Sequence, residues 1–561
     1  MINLSMAHKQ YREYTESPTS IVSGQAFYQD KLYQNEALSA LVSTWSTPEQ
    51  FTSALNELNG FYALICHQDK QVFAAVDRVR SIPLFYGQKG ADFYLSDSAE
   101  WVREKLGNQK IDPLAKEEFL LTGYVTGSDT LFPDVKQLQA GEAIIVEETK
   151  QGLSVMPIRY YRFIHEYEQY QSMEELMEEH DQVLLRMFKR LIEVANGRTL
   201  VVPLSGGYDS RLIVLMLKRL GYENIITFSY GRPGNKESEV SRKVAESLGL
   251  KWEFVEYNNG LWCQWYHSDE YSKYERFAGG FVSLPHIQDW PAVWQLKKNK
   301  VIPDDSIFVP GHSADLPAGS RSKSVPVLYK NKAINIPETI TEILRYHYSL
   351  FDWTKKRDQL EPLFISHIKE TLGCIEDFPD GASAFESWDI GERQAKFIIN
   401  SLRIYDFWGY SWWMPFWDYD YMQFWSTVPL EYRMNQAMYE PFVNSLFYTV
   451  TGCVLPRDDL NPSYKQRFIN VLRPIISKTH KERIKKTVKA NKIFLKREYT
   501  SHPLALWGIY SLDDYLMKAK KIGSVNSAAV EEYMLQIEPD YLCTEVELLH
   551  SKKTLYRSSA R

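Results

Sequence analysis

Apolar and polar positions between residues 199 and 257 come in blocks of two alternating kinds. The apolar run Thr199-Leu200-Val201-Val202-Pro203-Leu204 predicts a buried strand, and Ser205-Gly206-Gly207-Tyr208-Asp209-Ser210 predicts a tight turn. Arg211-Leu212-Ile213-Val214-Leu215-Met216-Leu217 then predicts a helix, which Gly221 stops. A second strand follows over 224–231, a helix over 237–249 and a third strand over 252–257. This order is that of a parallel α/β sheet, in which ligands sit beyond the carboxyl ends of the strands. Two segments fall there, the 205–210 turn and Ser229-Tyr230-Gly231.

The turn has the chemistry of a phosphate cradle. Small residues let the backbone approach a ligand closely, and the amides and positive dipole end of the following helix favour an anion. No Lys-Ser or Lys-Thr pair follows the glycines, so the loop is not of the Walker type. Leu204 and the Ser-Gly-Gly-x-Asp-Ser that follows it resemble the pyrophosphate loop of the N-type ATP pyrophosphatases, which split ATP into AMP and pyrophosphate. With Phe228-Ser229-Tyr230-Gly231 on the second strand, the order of elements resembles the synthetase domain of the asparagine synthetases.

Further segments carry the same resemblance. The 309–320 stretch, containing Gly311-His312-Ser313-Ala314-Asp315-Leu316, is similar to the family's Ser-Gly-Glu-Gly-x-Asp-Glu segment, and Met414-Pro415-Phe416-Trp417-Asp418 is similar to Val-Pro-Phe-Leu-Asp. Earlier in the chain, 58–64, 76–86, 130–132, 138–142 and 159–161 resemble the family's glutaminase-type domain. The likeness runs from about Leu58 to about Val443. It implies an α/β chain with a degenerate, β-rich Ntn-hydrolase-like domain over 1–165, a parallel-sheet ATP-pyrophosphatase domain over 173–450 and a helical extension over 451–561.

The resemblance also implies a reaction. A carboxylate oxygen attacks the α-phosphorus of ATP, pyrophosphate leaves, and an amine then displaces AMP to form an amide. Ser205, Gly206, Gly207 and Ser210 would face the pyrophosphate, with Gly311 beside them. Asp209 and Asp315 would hold Mg2+, and Ser229, Tyr230 and Gly231 would line the adenosine pocket. An aspartate in a first helical turn also complements the helix dipole without any metal. Lys465 is the candidate for the carboxyl-terminal lysine with which the family contacts phosphates.

The departures bear on substrate. Family glutaminase domains use an amino-terminal cysteine, whereas here Met1 precedes Ile2-Asn3-Leu4 and Cys66 lies inside an apolar run. Nitrogen is therefore expected from ammonia, a separate glutaminase or an amine on the acceptor. His312 stands where the family has a glutamate, and either serves as a base near neutral pH or is simply a polar loop residue. Leu316 replaces an acidic residue, and Ser411-Trp412-Trp413 offers no acid in the acceptor region. The aromatic group Trp408, Trp412, Trp413, Phe416, Trp417 and Trp425 reads first as core and second as a surface for sugar faces. The acceptor is accordingly expected to be aspartate or a sugar uronic acid. A tRNA-modifying adenylating enzyme, an inactive scaffold and an intramolecular amide-forming synthetase remain open beside this reading.

Composition narrows the field. With 561 residues, 44% of them hydrophobic, the chain can form two or three domains, and a net charge of −6 excludes a general nucleic-acid binder. Five scattered cysteines, with neither zinc nor disulfide spacing, fit a reducing cytoplasm, and neither a signal peptide nor a membrane span is evident. The basic run from 478 to 497 reads as a solvated helix face or as a contact with an anionic membrane surface.

Overall fold

The computed structural model describes residues 1–68, 71–107, 110–150, 152–170, 172–330, 333–454, 492–519 and 524–538. Lys465, Cys543 and the 478–491 part of the basic run lie outside them. The remainder of that run opens the Lys492–Ser501 helix, where Leu495 is buried and Ile493 is exposed.

Two sheets occupy the amino-terminal part. The larger is antiparallel, in the order Gly152–Arg159, Glu142–Thr149, Gln71–Val76, Asn59–Gln68, Ser20–Tyr28 and Thr15–Glu16, with Lys31–Gln34 also paired to Ser20–Tyr28. Alternation along its strands divides the side chains between two cores. Val22, Tyr62, Leu64, Cys66 and Phe73 meet the helices Asn35–Val42 and Pro48–Glu57, while Phe61, Ala63, Ile65, Val72 and Ala74 face the rest of the molecule. The Pro48–Glu57 helix begins where Thr47 accepts a hydrogen bond from the Gln50 amide and Pro48 takes the first turn. It buries Phe51, Ala54 and Leu55, one face at helical spacing. The smaller sheet runs Ile2–Ser5, Asp92–Ser96, Phe85–Lys89, Lys136–Gln137.

The second half is built on five parallel strands in the order Lys251–Glu256, Ile225–Gly231, Leu200–Pro203, Ile307–Phe308, Ser411–Trp412. The three strands expected between 199 and 257 are present, as are the helices Tyr208–Arg219 and Lys236–Ser247 between them. Gly221, at φ 75°, lies just past the first helix, and Asn196, at φ 46°, closes the long Met173–Ala195 helix. Leu200, Val201 and Val202 are wholly buried because both faces of this sheet are covered. Order reverses at the Leu200–Pro203 strand, with its sequence successors on one side and Ile307–Phe308 on the other. A crevice therefore opens beyond the carboxyl ends of these two strands.

The two halves share a hydrophobic core. Phe61, Ile65 and Val72 of the large antiparallel sheet belong to the same buried cluster as Leu200, Val201, Trp413 and Phe416. At the join, Phe61 meets Trp413 edge to face at 4.8 Å. Among the described residues no helix is long and apolar enough to cross a membrane.

Candidate functional site

The 205–210 turn leaves the Leu200–Pro203 strand at the reversal point and enters the Tyr208–Arg219 helix. Serine hydroxyls hold its shape. Ser205 N donates to Ser210 Oγ at 3.0 Å, Gly207 N donates to Ser205 Oγ at 3.1 Å, and the two hydroxyls are 3.1 Å apart. Arg211 adds a bond from its guanidinium to the Gly206 carbonyl. Gly207 occupies the N-cap position in extended conformation, and no side chain caps the helix. The helix therefore presents its first turn of amides and its positive end to the crevice with no side-chain oxygen in the way.

The loop after Ile307–Phe308 lies against this turn. Gly311 makes the approach possible: a Cβ there would sit 2.7 Å from Ser210 N and 3.1 Å from the Asp209 carbonyl carbon. The same approach brings Asp315 to Asp209, whose Oδ2 accepts from the Asp315 amide at 3.4 Å. The hydroxyl of Tyr439, on the helix Tyr439–Thr451, donates to Asp209 Oδ1 at 2.9 Å. Burial, and then the Asp315 charge, push the Asp209 carboxyl well above the usual range, and burial also raises Asp315 against the pull of Arg321. Two carboxylates that destabilise each other's charge in a buried site fit a divalent cation. Among the described residues no third carboxylate, histidine or cysteine completes a protein-only metal cage. The set suits Mg2+, which takes one or two carboxylates and fills its other positions with phosphate oxygens and water.

His312 projects from the same loop. Its Nε2 shares a 2.7 Å hydrogen bond with the buried Ser401 hydroxyl, and burial with nearby His286 lowers its pKa to about 4, so the ring is neutral at pH 7. Ser313 Oγ donates to Gln394 Oε1 at 2.6 Å, and Arg321 pairs with Asp389. Asp389, Gln394 and Ser401 lie on or beside a π-helix, Ile390–Ile398, which thus backs the whole 311–321 segment. Sequence spacing gives no hint of Ser401, Gln394, Asp389 or Tyr439, because each reaches the site from a distant segment. Leu316, 1% exposed, is core.

Ser229, Tyr230 and Gly231 end the neighbouring strand. Tyr230 stacks on Tyr257 at 5.1 Å, and Gly231, at φ 130°, has the Pro503 carbonyl where a Cβ would meet it at 2.9 Å. The carboxyl-terminal part therefore covers this end of the crevice. The aromatic group is structural. Trp412, Trp413, Phe416, Trp417 and Trp425 are buried, and half-buried Trp408 packs on Trp290 and Trp294. The alternative of a surface for sugar faces is not what these side chains form. Asp418 and Asp420 are both held by Arg190 of the Met173–Ala195 helix.

Comparison with known proteins agrees with this geometry. The glutamine amidotransferase domain family matches residues 36–161 and the asparagine synthase family matches 193–262. A probable glutamine-hydrolysing asparagine synthetase of Acanthamoeba polyphaga mimivirus is 33% identical over 104 residues, 17% of this chain and 19% of that protein. The 7-cyano-7-deazaguanine synthase of Methanocaldococcus jannaschii is 43% identical over 53 residues, 9% of this chain and 23% of that one. The matched stretch thus spans about a fifth of each of these relatives. Two solved structures at 11% identity are the allosteric regulatory enzyme of purine biosynthesis (TM-score 0.18, covering 44% of this chain and 62% of that one) and the B. subtilis glutamine phosphoribosylpyrophosphate amidotransferase complexed with ADP and GMP (TM-score 0.19, 53% and 63%). Their TM-scores are too low for architecture to be read from them. With a β-rich amidotransferase-like domain preceding a parallel sheet whose first turn is Ser-Gly-Gly-Tyr-Asp-Ser, the chain is similar to the asparagine synthetases in the order of these two matched segments.

Proposed function

We propose that the protein is an ATP-dependent carbon–nitrogen ligase that forms AMP and pyrophosphate. The observation that carries this reading is the uncapped 205–210 turn at the strand reversal, with Asp209 at its edge accepting from the Asp315 amide and within reach of the Asp315 charge. The amides and hydroxyls of Ser205, Gly206, Gly207 and Ser210 bind the pyrophosphate portion of ATP, and Ser229, Tyr230 and Gly231 flank the adenosine. Asp209 and Asp315 hold Mg2+, which when bound neutralises charge on the leaving pyrophosphate. Tyr439 orients Asp209 for that task.

The acceptor carboxylate forms an O–P bond to the α-phosphorus as the bond to pyrophosphate breaks. An amine nitrogen then bonds to the acyl carbon, AMP leaves with its oxygen, and the amine proton passes to a base. We take His312, neutral and hydrogen-bonded to Ser401, as that base. The acceptor is aspartate or a sugar uronic acid, and nitrogen comes from ammonia or a separate glutaminase. Wholly buried Cys66, its Sγ 3.8 Å from the Val42 carbonyl, is inert and supports an outside nitrogen source. The resting place of the protein is taken to be the cytoplasm.

The test is Mg2+-dependent pyrophosphate release from ATP with ammonium across a panel of aspartate, nucleotide-linked uronic acids and amino-bearing carboxylates. Release that depends on one acceptor is expected. The Asp209→Asn variant should lose it by at least ~100-fold while melting no lower than wild type, because a like-charge contact is removed. Unchanged turnover in that variant would overturn the metal assignment. No release and no ATP binding across the panel would leave the scaffold reading.

A further inference from the structure

A cavity of about 30 Å³ lies between the amino-terminal sheets and the parallel-sheet half. Four buried positive side chains line it: Arg12, Arg80, Lys396 and Arg403. Lys396 is satisfied by Glu392 and by the carbonyls of Val125 and Gly127. The guanidiniums are not. Arg12 and Arg403 share a single carboxylate, Asp406, at 2.6 and 3.2 Å. Arg12 Nε and both Nε and Nη1 of Arg403 are buried with no hydrogen-bond partner.

Arg80 is the most exceptional of the group. The hydrogen bond of its guanidinium to protein runs from Nε to the Leu138 carbonyl at 3.1 Å, the guanidinium lies over the Phe85 ring, and no carboxylate among the described residues forms an ion pair with it. Its backbone is held at φ 56°, a conformation that costs a non-glycine residue energy. Burial and the neighbouring Arg403 charge pull its pKa down to about 9. Asp97, one of the carboxylates that line the cavity, is already taken by the amides of Ala7 and His8 and by the Tyr14 hydroxyl. Buried positive charge without a partner is costly, and guanidinium forks match oxyanions in shape and charge.

We infer that this interdomain cavity is a binding site for a small oxyanion, a phosphate or a carboxylate, held by Arg80 and Arg403 with Arg12 behind them. The site is separate from the 205–210 turn, yet not isolated from it. Lys396, Asn400 and Arg403 line the cavity from the same helical stretch whose Gln394 and Ser401 touch Ser313 and His312. An anion in the cavity bears directly on the element that backs the nucleotide loop.

The experiment is calorimetric titration and thermal melting of the full chain with inorganic phosphate and, separately, malonate, at constant ionic strength. Saturable binding with a concentration-dependent rise in Tm is expected for at least one anion, and which one binds tighter identifies the ligand class. Arg80→Gly removes the guanidinium at a position whose backbone suits glycine, so it should fold and melt at or above wild type without ligand, and bind at least 10-fold more weakly. Arg403→Gln should weaken binding similarly. No saturable binding of either anion by the wild type overturns the inference. So does binding that Arg80→Gly leaves unchanged, since the anion then sits at the 205–210 turn.

Discussion

His312 shows how one side chain couples the site to stability. Its folded pKa of about 4 lies below the ordinary 6.5, so the unfolded chain holds the extra proton between these values. Stability from this residue is complete above pH 6.5 and is lost as pH falls through about 4, amounting to up to about 2 kcal/mol once its partial exposure is allowed for. His312→Gln keeps a hydrogen-bonding end for Ser401 and does not titrate. Its urea midpoint should therefore fall less than that of the wild type between pH 7 and pH 4.5, while acceptor-dependent turnover drops by about 10²-fold or more, as loss of a general base requires. Equal acid sensitivity in the two proteins would show that the imidazole is not held neutral. His180 and His347, also buried and lowered to about 3, supply the acid sensitivity that the variant keeps.

At the scale of elements, the site depends on the closeness of two loops more than on either alone. Gly311 sets that distance, since even a methyl group would press on the backbone of Ser210. Gly311→Ala should cost about 1–3 kcal/mol in a denaturant titration and raise the KM for ATP, because the strain is relieved only by parting Asp315 from Asp209. An alanine variant with wild-type stability and KM would mean that the loops are free to separate. The strand, turn and helix around 199–217 were legible in the sequence because apolar period, glycine turn and helix stop all agree there. The partners of the 311–321 segment were not. Gln394 comes from a helix of π geometry that no local pattern announces, Asp389 and Ser401 flank it, and Tyr439 lies more than two hundred residues from the aspartate it holds. The tryptophans around 412 were legible as core, but what covers them was not, since Phe61 and Phe27 pack on Trp413 from the far end of the chain.

For the whole molecule, the common core of the two halves predicts a single unfolding event. Calorimetry of the full chain should give one transition with matching calorimetric and van't Hoff enthalpies, whereas two independent domains would give two. A resolved second peak would show that the Phe61–Trp413 contact contributes little. The fold class was readable from sequence at this scale, because antiparallel alternation and parallel βαβ order are separate signatures, but the sharing of one core was not, for it depends on which faces meet. That shared core limits which parts of the chain can be removed. Residues 36–161 match a glutamine amidotransferase domain, yet their inner face is also a wall of the parallel-sheet half. A chain cut back to the parallel-sheet half would leave the surface that Phe61 and its neighbours cover open to water.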